Sequence, residues 1–202
     1  ALILAALAGH PVTLTGCLES EDTAVMVDSL RRLGYAVTID GTTFHVEPGP
    51  TANSGDPTPI DLFVGNSGTT VRFLTAMLAL RPGTYRLDGV ARMRERPIGD
   101  LIEALAHLGV RAEAPTGCPP VTLHGGGWRG GTVPIRANVS SQFLSGLLLA
   151  APFADCEGSG FEVEGTLVSE PYVTMTLEML RQWGLTATVD RVPGRQRTTL
   201  TQ

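Results

Sequence analysis

Four short motifs hold most of the side chains that could do chemistry. GNSGTTVR, residues 65–72, follows a short apolar stretch and opens an apolar helix. Asn66, Ser67, Thr69 and Thr70 bring polar groups to that helix start, where free N–H groups and the helix dipole already favour an anion. Gly65 and Gly68 let the backbone turn tightly. The spacing and lysine of a P-loop are missing, and taken alone the motif also reads as an N-cap behind a glycine turn. VSSQF, residues 139–143, is a second helix start. Ser140 and Ser141 offer two hydroxyls, and Gln142 an amide that both donates and accepts; a Ser-then-Gln capping arrangement is the plainer alternative.

RMRERPIG, residues 92–99, alternates Arg92, Arg94 and Arg96 in an expected extended run, with Pro97 suited to the first position of a helix over 97–107. A cation beside a helix N-terminus opposes the dipole. It must be solvated there, paired (Glu95 is at hand) or compensated by a bound anion. Arginine's planar fork matches carboxylate and phosphate, and Arg96, next to the proline, is the foremost candidate. SEPY, residues 169–172, opens another helix with the Ser169 hydroxyl and the Tyr172 phenol, or simply caps it. Arg72 sits on an otherwise buried helix, where a buried carboxylate or carbonyl is the expected partner. Asp22 is either that partner or an N-cap.

The elements that must position these motifs recur. LRRLGYAVTI, ALAHLGVRAEA and MLRQWGLTATV are centred on Gly34, Gly109 and Gly184, each 75 residues after the last. Each reads as a last helical turn, a glycine in the left-handed conformation and a strand. The same spacing relates Asn66 to Ser141, Pro97 to Tyr172 and Asp22 to Pro97. The expected fold is therefore α/β, a threefold pseudo-symmetric repeat of βαβαββ units around buried helices. The units span about 1–47, 60–124 and 132–201 of a single domain over 1–202, with Pro48 to Pro59 as a linker and Asp40-Gly41 as a hairpin turn. The first helix of each unit (ALILAALA, FLTAMLAL, FLSGLLLAA) is apolar all round and so buried; the second carries charge on one face. Helix N-termini of equivalent units should converge on one end, collecting Asn66, Gly68, Thr69, Arg96, Ser140, Ser141, Gln142, Ser169 and Tyr172. Such an end can bind phosphates and carboxylates but lacks an evident acid–base carboxylate, activated cysteine or metal set. The first unit lacks an opening element, so the chain reads as a fragment.

Composition narrows the field. With 202 residues and a net charge of −5, a general binder of nucleic acid or anionic membranes is disfavoured. Cys17, Cys118 and Cys156 have no zinc or redox spacing, which fits a reducing compartment. The four histidines form no ligand pair. The run from Phe143 to Ala154 falls short of the ~20 residues of a membrane span and contains Pro152, so a buried core helix is expected.

The four motifs, in this order and spacing, together with ALILAALA and the ESEDT stretch, resemble the enolpyruvyl transferases and among them the EPSP synthase family. The resemblance covers essentially the whole chain, but only one of that family's two similar domains. It implies a cytoplasmic enzyme that needs no metal or cofactor. The enzyme moves the enolpyruvyl group of phosphoenolpyruvate to the 5-hydroxyl of shikimate 3-phosphate, releasing phosphate through a tetrahedral intermediate. By motif, Ser140, Ser141 and Ser169 would hold the phosphate of shikimate 3-phosphate, with Tyr172 and Thr69 in the same pocket. Asn66, Gly68 and Arg96 would bind phosphoenolpyruvate, and Gln142 would touch both substrates. The family's Lys-Ser…Arg element would precede residue 1, and its acid–base aspartate and glutamate belong to the second domain, so no catalytic residue is assigned here. The chain is then expected to be the substrate-binding half, inactive alone. Glu170 stands where the family's residue is often basic, and Phe73 where many relatives have proline, so nothing follows about response to glyphosate. The competing expectations are a non-catalytic phosphate- or carboxylate-binding module on the same fold, and the sister transferase acting on UDP-N-acetylglucosamine. The sister enzyme typically has a cysteine in a glycine-rich loop, which none of the three cysteines here occupies.

Overall fold

A computed structural model describes residues 1–50, 58–156, 158–165, 167–192 and 195–201. Its strands form three sheets. The first joins β1 (Val12–Leu14), β2 (Val37–Asp40) and β3 (Thr43–Val46) in the antiparallel order β1-β3-β2. The second holds β4 (Ile60–Phe63), β5 (Gly83–Asp88), β6 (Arg111–Glu113) and β7 (Val121–Gly125), ordered β4-β5-β7-β6. Here β4 and β5 run parallel and the other neighbours antiparallel. The third, with β8 (Gly131–Arg136), β9 (Ser159–Glu164), β10 (Thr186–Val192) and β11 (Arg195–Thr201), is ordered β8-β9-β11-β10 with the same senses. The first sheet matches the last three strands of that shared pattern.

Three apolar helices occupy the interior. These are α1 (Leu2–Leu7), α3 (Gly68–Leu80) and α5 (Gln142–Ala150), and each touches the other two. With apolar side chains on every face they have no stripe to offer water, and Ile3–Ala6, Leu74–Ala79 and Phe143–Ala150 are buried. α5 passes close to α3 at Gly146, where a Cβ would stand 3.2 Å from the Arg72 carbonyl. The apolar run of α5 continues into a turn of 3-10 helix, Ala151–Phe153. Among the described residues no helix is long and apolar enough to cross a membrane.

α2 (Glu21–Arg32), α4 (Gly99–His107) and α6 (Glu170–Gln182) bury one stripe each. These stripes include Met26, Val27 and Leu30; Leu101, Ala104 and Leu105; and Val173, Thr176 and Leu180. All three stop in the same way. Gly34, Gly109 and Gly184 take φ of 91°, 80° and 73°, and each donates to the carbonyl three residues back. The residue after each glycine donates to the carbonyl five back, completing the paired bonds of a left-handed C-terminal cap.

Several expected boundaries move. α4 begins at Gly99, not at Pro97, because the N–H groups of Ile98 and Gly99 both donate to the Gly117 carbonyl, at 2.9 and 3.1 Å. Met93–Glu95 form a 3-10 turn, not an extended run. Ser20, not Asp22, caps α2: its hydroxyl accepts from the Thr23 N–H, and the Thr23 hydroxyl accepts from the Ser20 N–H. α5 starts at Gln142, two residues after Ser140. The hairpin pairs Asp40 with Thr43 around Gly41, whose φ is 54°. Of the expected linker, residues 51–57 lie outside the described residues.

Candidate anion-binding site

The helix starts gather around Arg72. On α3, the Ser67 hydroxyl accepts from the Thr70 N–H at 3.1 Å and donates to the Thr70 hydroxyl, which in turn donates to the Asp22 carbonyl at the start of α2. One turn on, Arg72 donates from Nη1 to Gln142 Oε1 at the start of α5 (2.7 Å) and from Nη2 to the Pro97 carbonyl before α4 (3.2 Å). The Gln142 amide nitrogen donates to the Thr69 hydroxyl at 3.1 Å. The segment before α6 joins the one before α5 through the Val168 N–H and the Ala137 carbonyl. Tyr172, on the first turn of α6, is close enough to interact electrostatically with Arg72. Of the two kinds of partner expected for Arg72, the carbonyl is present, from Pro97, and no carboxylate pairs with it among the described residues; its other partner is the Gln142 amide. Asp22 contributes only its backbone oxygen, and it does so to Thr70.

Two cations are left unbalanced. Arg96 lies across the start of α3, where a Cβ on Gly68 would land on its guanidinium. Neither Arg72 nor Arg96 takes part in an ion pair among the described residues. Burial lowers the Arg72 pKa, and the neighbouring Arg96 charge lowers it further. The Arg72 guanidinium also sits 5.0 Å over the Phe143 ring, whose negative face repays part of its desolvation. By contrast Arg94 is consumed by Asp88, with Nε on Oδ1 at 3.0 Å and Nη2 on Oδ2 at 2.8 Å. Arg92 pairs with Glu95. The alternating arginines are therefore not equivalent: two hold the turn together and the third faces α3. The Asp88 carboxyl is held below the usual carboxylate range, chiefly by Arg94, and also accepts from the Gly89 N–H.

The helix starts differ in how their amides are satisfied. α2 and α3 are capped by their own side chains, and α4 is sealed by Gly117. At α5 and α6 neither Ser141 nor Ser169 makes a side-chain capping bond, but the Phe143 and Tyr172 N–H groups donate to the Ser140 and Ser169 carbonyls. Ser140 accepts a long bond from the Gln142 N–H at 3.3 Å. Ser169 adopts φ 53° and ψ 48°, the one non-glycine among the described residues with positive φ. It is exposed, three residues before Tyr172. Asn66 Oδ1 and Arg72 Nε are buried without a hydrogen-bond partner among the described residues.

Asn66, Gly68, Thr69, Arg96 and Gln142 thus cluster at the start of α3, and Ser140 and Ser141 lie at the adjoining start of α5, with Tyr172 near enough to act electrostatically on Arg72. Ser169 has no side-chain bond to the others. Arg72 stands at the centre of this cluster, and the sequence signals it: a cation on an otherwise apolar helix has to be explained by something it holds.

Helix starts set beside two guanidinium groups without ion pairs among the described residues give this α/β domain one cationic end. The family model for EPSP synthase (3-phosphoshikimate 1-carboxyvinyltransferase) matches residues 1–200, and the chain belongs to that family. It is 44% identical over 191 residues to the 3-phosphoshikimate 1-carboxyvinyltransferase of Hamiltonella defensa, covering 93% of this chain and 44% of the relative. To that of Laribacter hongkongensis it is 46% identical over 193 residues, covering 92% and 44%. The fold superposes on the solved EPSP synthase of Acinetobacter baumannii with a TM-score of 0.74 at 22% identity, over 97% of this chain and 44% of that one. The chain therefore spans less than half the length of these relatives.

Proposed function

We propose that this chain binds phosphoenolpyruvate and shikimate 3-phosphate for enolpyruvyl transfer. The 5-hydroxyl oxygen of shikimate 3-phosphate loses its proton and bonds to the phosphate-bearing carbon of phosphoenolpyruvate as the terminal methylene gains a proton; the tetrahedral adduct then loses a proton from that methyl and expels phosphate, restoring the double bond. Ser140, Ser141 and Ser169 take the phosphate of shikimate 3-phosphate, while Tyr172 and Thr69 line its pocket. Asn66, Gly68 and Arg96 take phosphoenolpyruvate. Gln142, already held between Arg72 and Thr69, lies between the two anions.

The observation that carries this reading is the Arg72–Arg96 pair, without an ion-pair partner among the described residues and set beside the starts of α3 and α5. Fixed donors of this kind hold two anions side by side and lower the entropic barrier to their reaction. The residues gathered here bind and orient. Proton transfer is assigned to the part of the family enzyme that this chain does not match, so the chain alone binds without turning over.

Amide NMR of the 202-residue chain tests this. Shikimate 3-phosphate should shift Ser140, Ser141, Gln142 and Ser169, while a UDP-sugar leaves them in place. Mixing the chain with the complementary part of a relative should then release phosphate. An absence of shifts with shikimate 3-phosphate defeats the substrate assignment, and turnover by the chain alone defeats the claim that it cannot act by itself.

A further inference from the structure

The segment leading into α3 and the segment leading toward α4 are bound to each other, and Asp88 stands where they join. At the end of β5 the Asp88 carbonyl accepts from the Val64 N–H at 2.8 Å, and two residues on the Val90 N–H donates to the Gly65 carbonyl at 3.1 Å. A Cβ on Gly89, between them, would collide with that carbonyl. The Asp88 carboxylate is largely buried and fully engaged. Oδ1 accepts from the Gly89 N–H at 2.8 Å and from Arg94 Nε, and Oδ2 accepts from Arg94 Nη2 and from Arg86 Nη2 at 3.1 Å. A carboxylate has about four acceptor positions, so this one keeps none for a ligand.

Arg94 is the opposite case. Its side chain is 58% exposed, and an arginine so open to water ordinarily samples many rotamers. The two-pronged bond to Asp88 fixes it. With it is fixed the 3-10 turn Met93–Glu95, which the Arg96 N–H closes on the Met93 carbonyl at 3.0 Å. Met93 anchors the same turn in the core.

Arg96 needs such a frame. Among the described residues its side chain forms no ion pair, and it stands beside the like charge of Arg72. Repulsion favours turning it out to water, yet its guanidinium lies against Gly68. Its direction is set by its backbone, and that backbone is tied down by Asp88.

We propose that Asp88 is a positioning residue for phosphoenolpyruvate binding: by gripping Arg94 and the Gly89 N–H it sets the turn that aims Arg96 at the start of α3. The inference rests on the assignment of Arg96 to phosphoenolpyruvate made above.

Arg94→Gln is the first test, because it removes the two-pronged bond and leaves Asp88 paired with Arg86 and Gly89. Calorimetry on the full chain should show phosphoenolpyruvate binding about tenfold more weakly, with shikimate 3-phosphate within about twofold of the parent. Arg96→Met should also weaken phosphoenolpyruvate binding. Adding Arg94→Gln to it should cost less than about twofold more, since the arginine through which the clamp acts is already gone. A merely structural clamp would weaken both ligands, or add its full effect to that of Arg96→Met. Asp88→Asn should give the same split, and it stands in if Arg94→Gln does not fold. NMR contacts between the Gly68 α-protons and the Arg96 side chain should be present in the parent and lost in either variant. That measurement needs no ligand. If the parent does not bind phosphoenolpyruvate, the substrate reading falls, and the Gly68–Arg96 contact alone decides whether the clamp aims the arginine. Unchanged phosphoenolpyruvate affinity, equal loss of both ligands, full additivity with Arg96→Met, or a Gly68–Arg96 contact that survives the substitutions would each overturn the positioning role.

Discussion

Arg72 and Gln142, 70 residues apart in sequence, share a 2.7 Å hydrogen bond between guanidinium Nη1 and amide Oε1. A guanidinium can only donate, so it fixes which end of the amide faces it, and the Gln142 nitrogen is turned onto Thr69. The bond satisfies a donor without spending the charge. Arg72 is held by an amide, a carbonyl and an aromatic face, and its positive charge remains available to a ligand. A carboxylate in place of Gln142 would make a stronger bond and a poorer anion site.

Gln142→Glu should therefore weaken anion binding while leaving the fold intact. Charge-assisted bonds of this kind contribute about 1.5–3 kcal/mol, so the affinity for shikimate 3-phosphate should fall by roughly tenfold to a hundredfold. Calorimetry measures this, and thermal unfolding should show no loss of stability. Unchanged affinity would mean that the Arg72 charge does not face the ligand.

Gly68→Ala separates packing from binding. The new Cβ meets the far ends of two side chains, chiefly the Arg96 guanidinium and, at 3.3 Å, Arg72 Nη1, so Arg96 moves and the backbone does not. Gly68 is helical and its φ is not positive, so alanine removes backbone entropy from the unfolded chain and can stabilise by up to about 1 kcal/mol. The expected outcome is an unchanged or raised melting temperature together with weaker phosphoenolpyruvate binding, measured by calorimetry. A variant that kept full affinity would remove Arg96 from the site.

Much of this arrangement could be read from the chain. The stops at Gly34, Gly109 and Gly184 were legible because a left-handed cap depends on local backbone chemistry, and so were the all-apolar helices α1, α3 and α5. The polar helix starts were legible as a group. Which of them stay open was not, because that is decided by partners distant in sequence: Gly117 seals α4 from another loop, and Asp88 captures Arg94 while leaving Arg96 free. The displaced start of α4 has the same origin. Pro97 suits a first helical position on local grounds, but the Gly117 carbonyl takes the amides of Ile98 and Gly99 and sets the boundary two residues later.

Asp88 sets how the arginine turn responds to acid. Its side chain is 13% exposed and accepts from Arg94, Arg86 and the Gly89 N–H. Its folded pKa lies below the unfolded value of about 3.9. The stabilisation is therefore complete above that value and is lost as pH falls through the lower folded one. Asp88→Asn should cost about 1–3 kcal/mol at neutral pH and flatten this part of the stability profile. Urea unfolding from neutral pH down to about 3 reads both effects, and a variant as acid-sensitive as the parent would assign the pH dependence elsewhere.

Ser169 holds a left-handed backbone that a serine occupies only at a cost of about 1–3 kcal/mol. The conformation leads into α6 with the Ser169 hydroxyl exposed, where it could donate to an arriving phosphate. Glycine adopts the same φ and ψ without a Cβ clash. Ser169→Gly should therefore raise the melting temperature, or at least not lower it, while weakening shikimate 3-phosphate binding by about tenfold through loss of one donor. Ser169→Ala removes the same hydroxyl without relieving the backbone, and should bind as weakly as the glycine variant while being the less stable of the two. If both variants kept full affinity, the strained serine would have only a structural role, and the phosphate would rest on α5 alone.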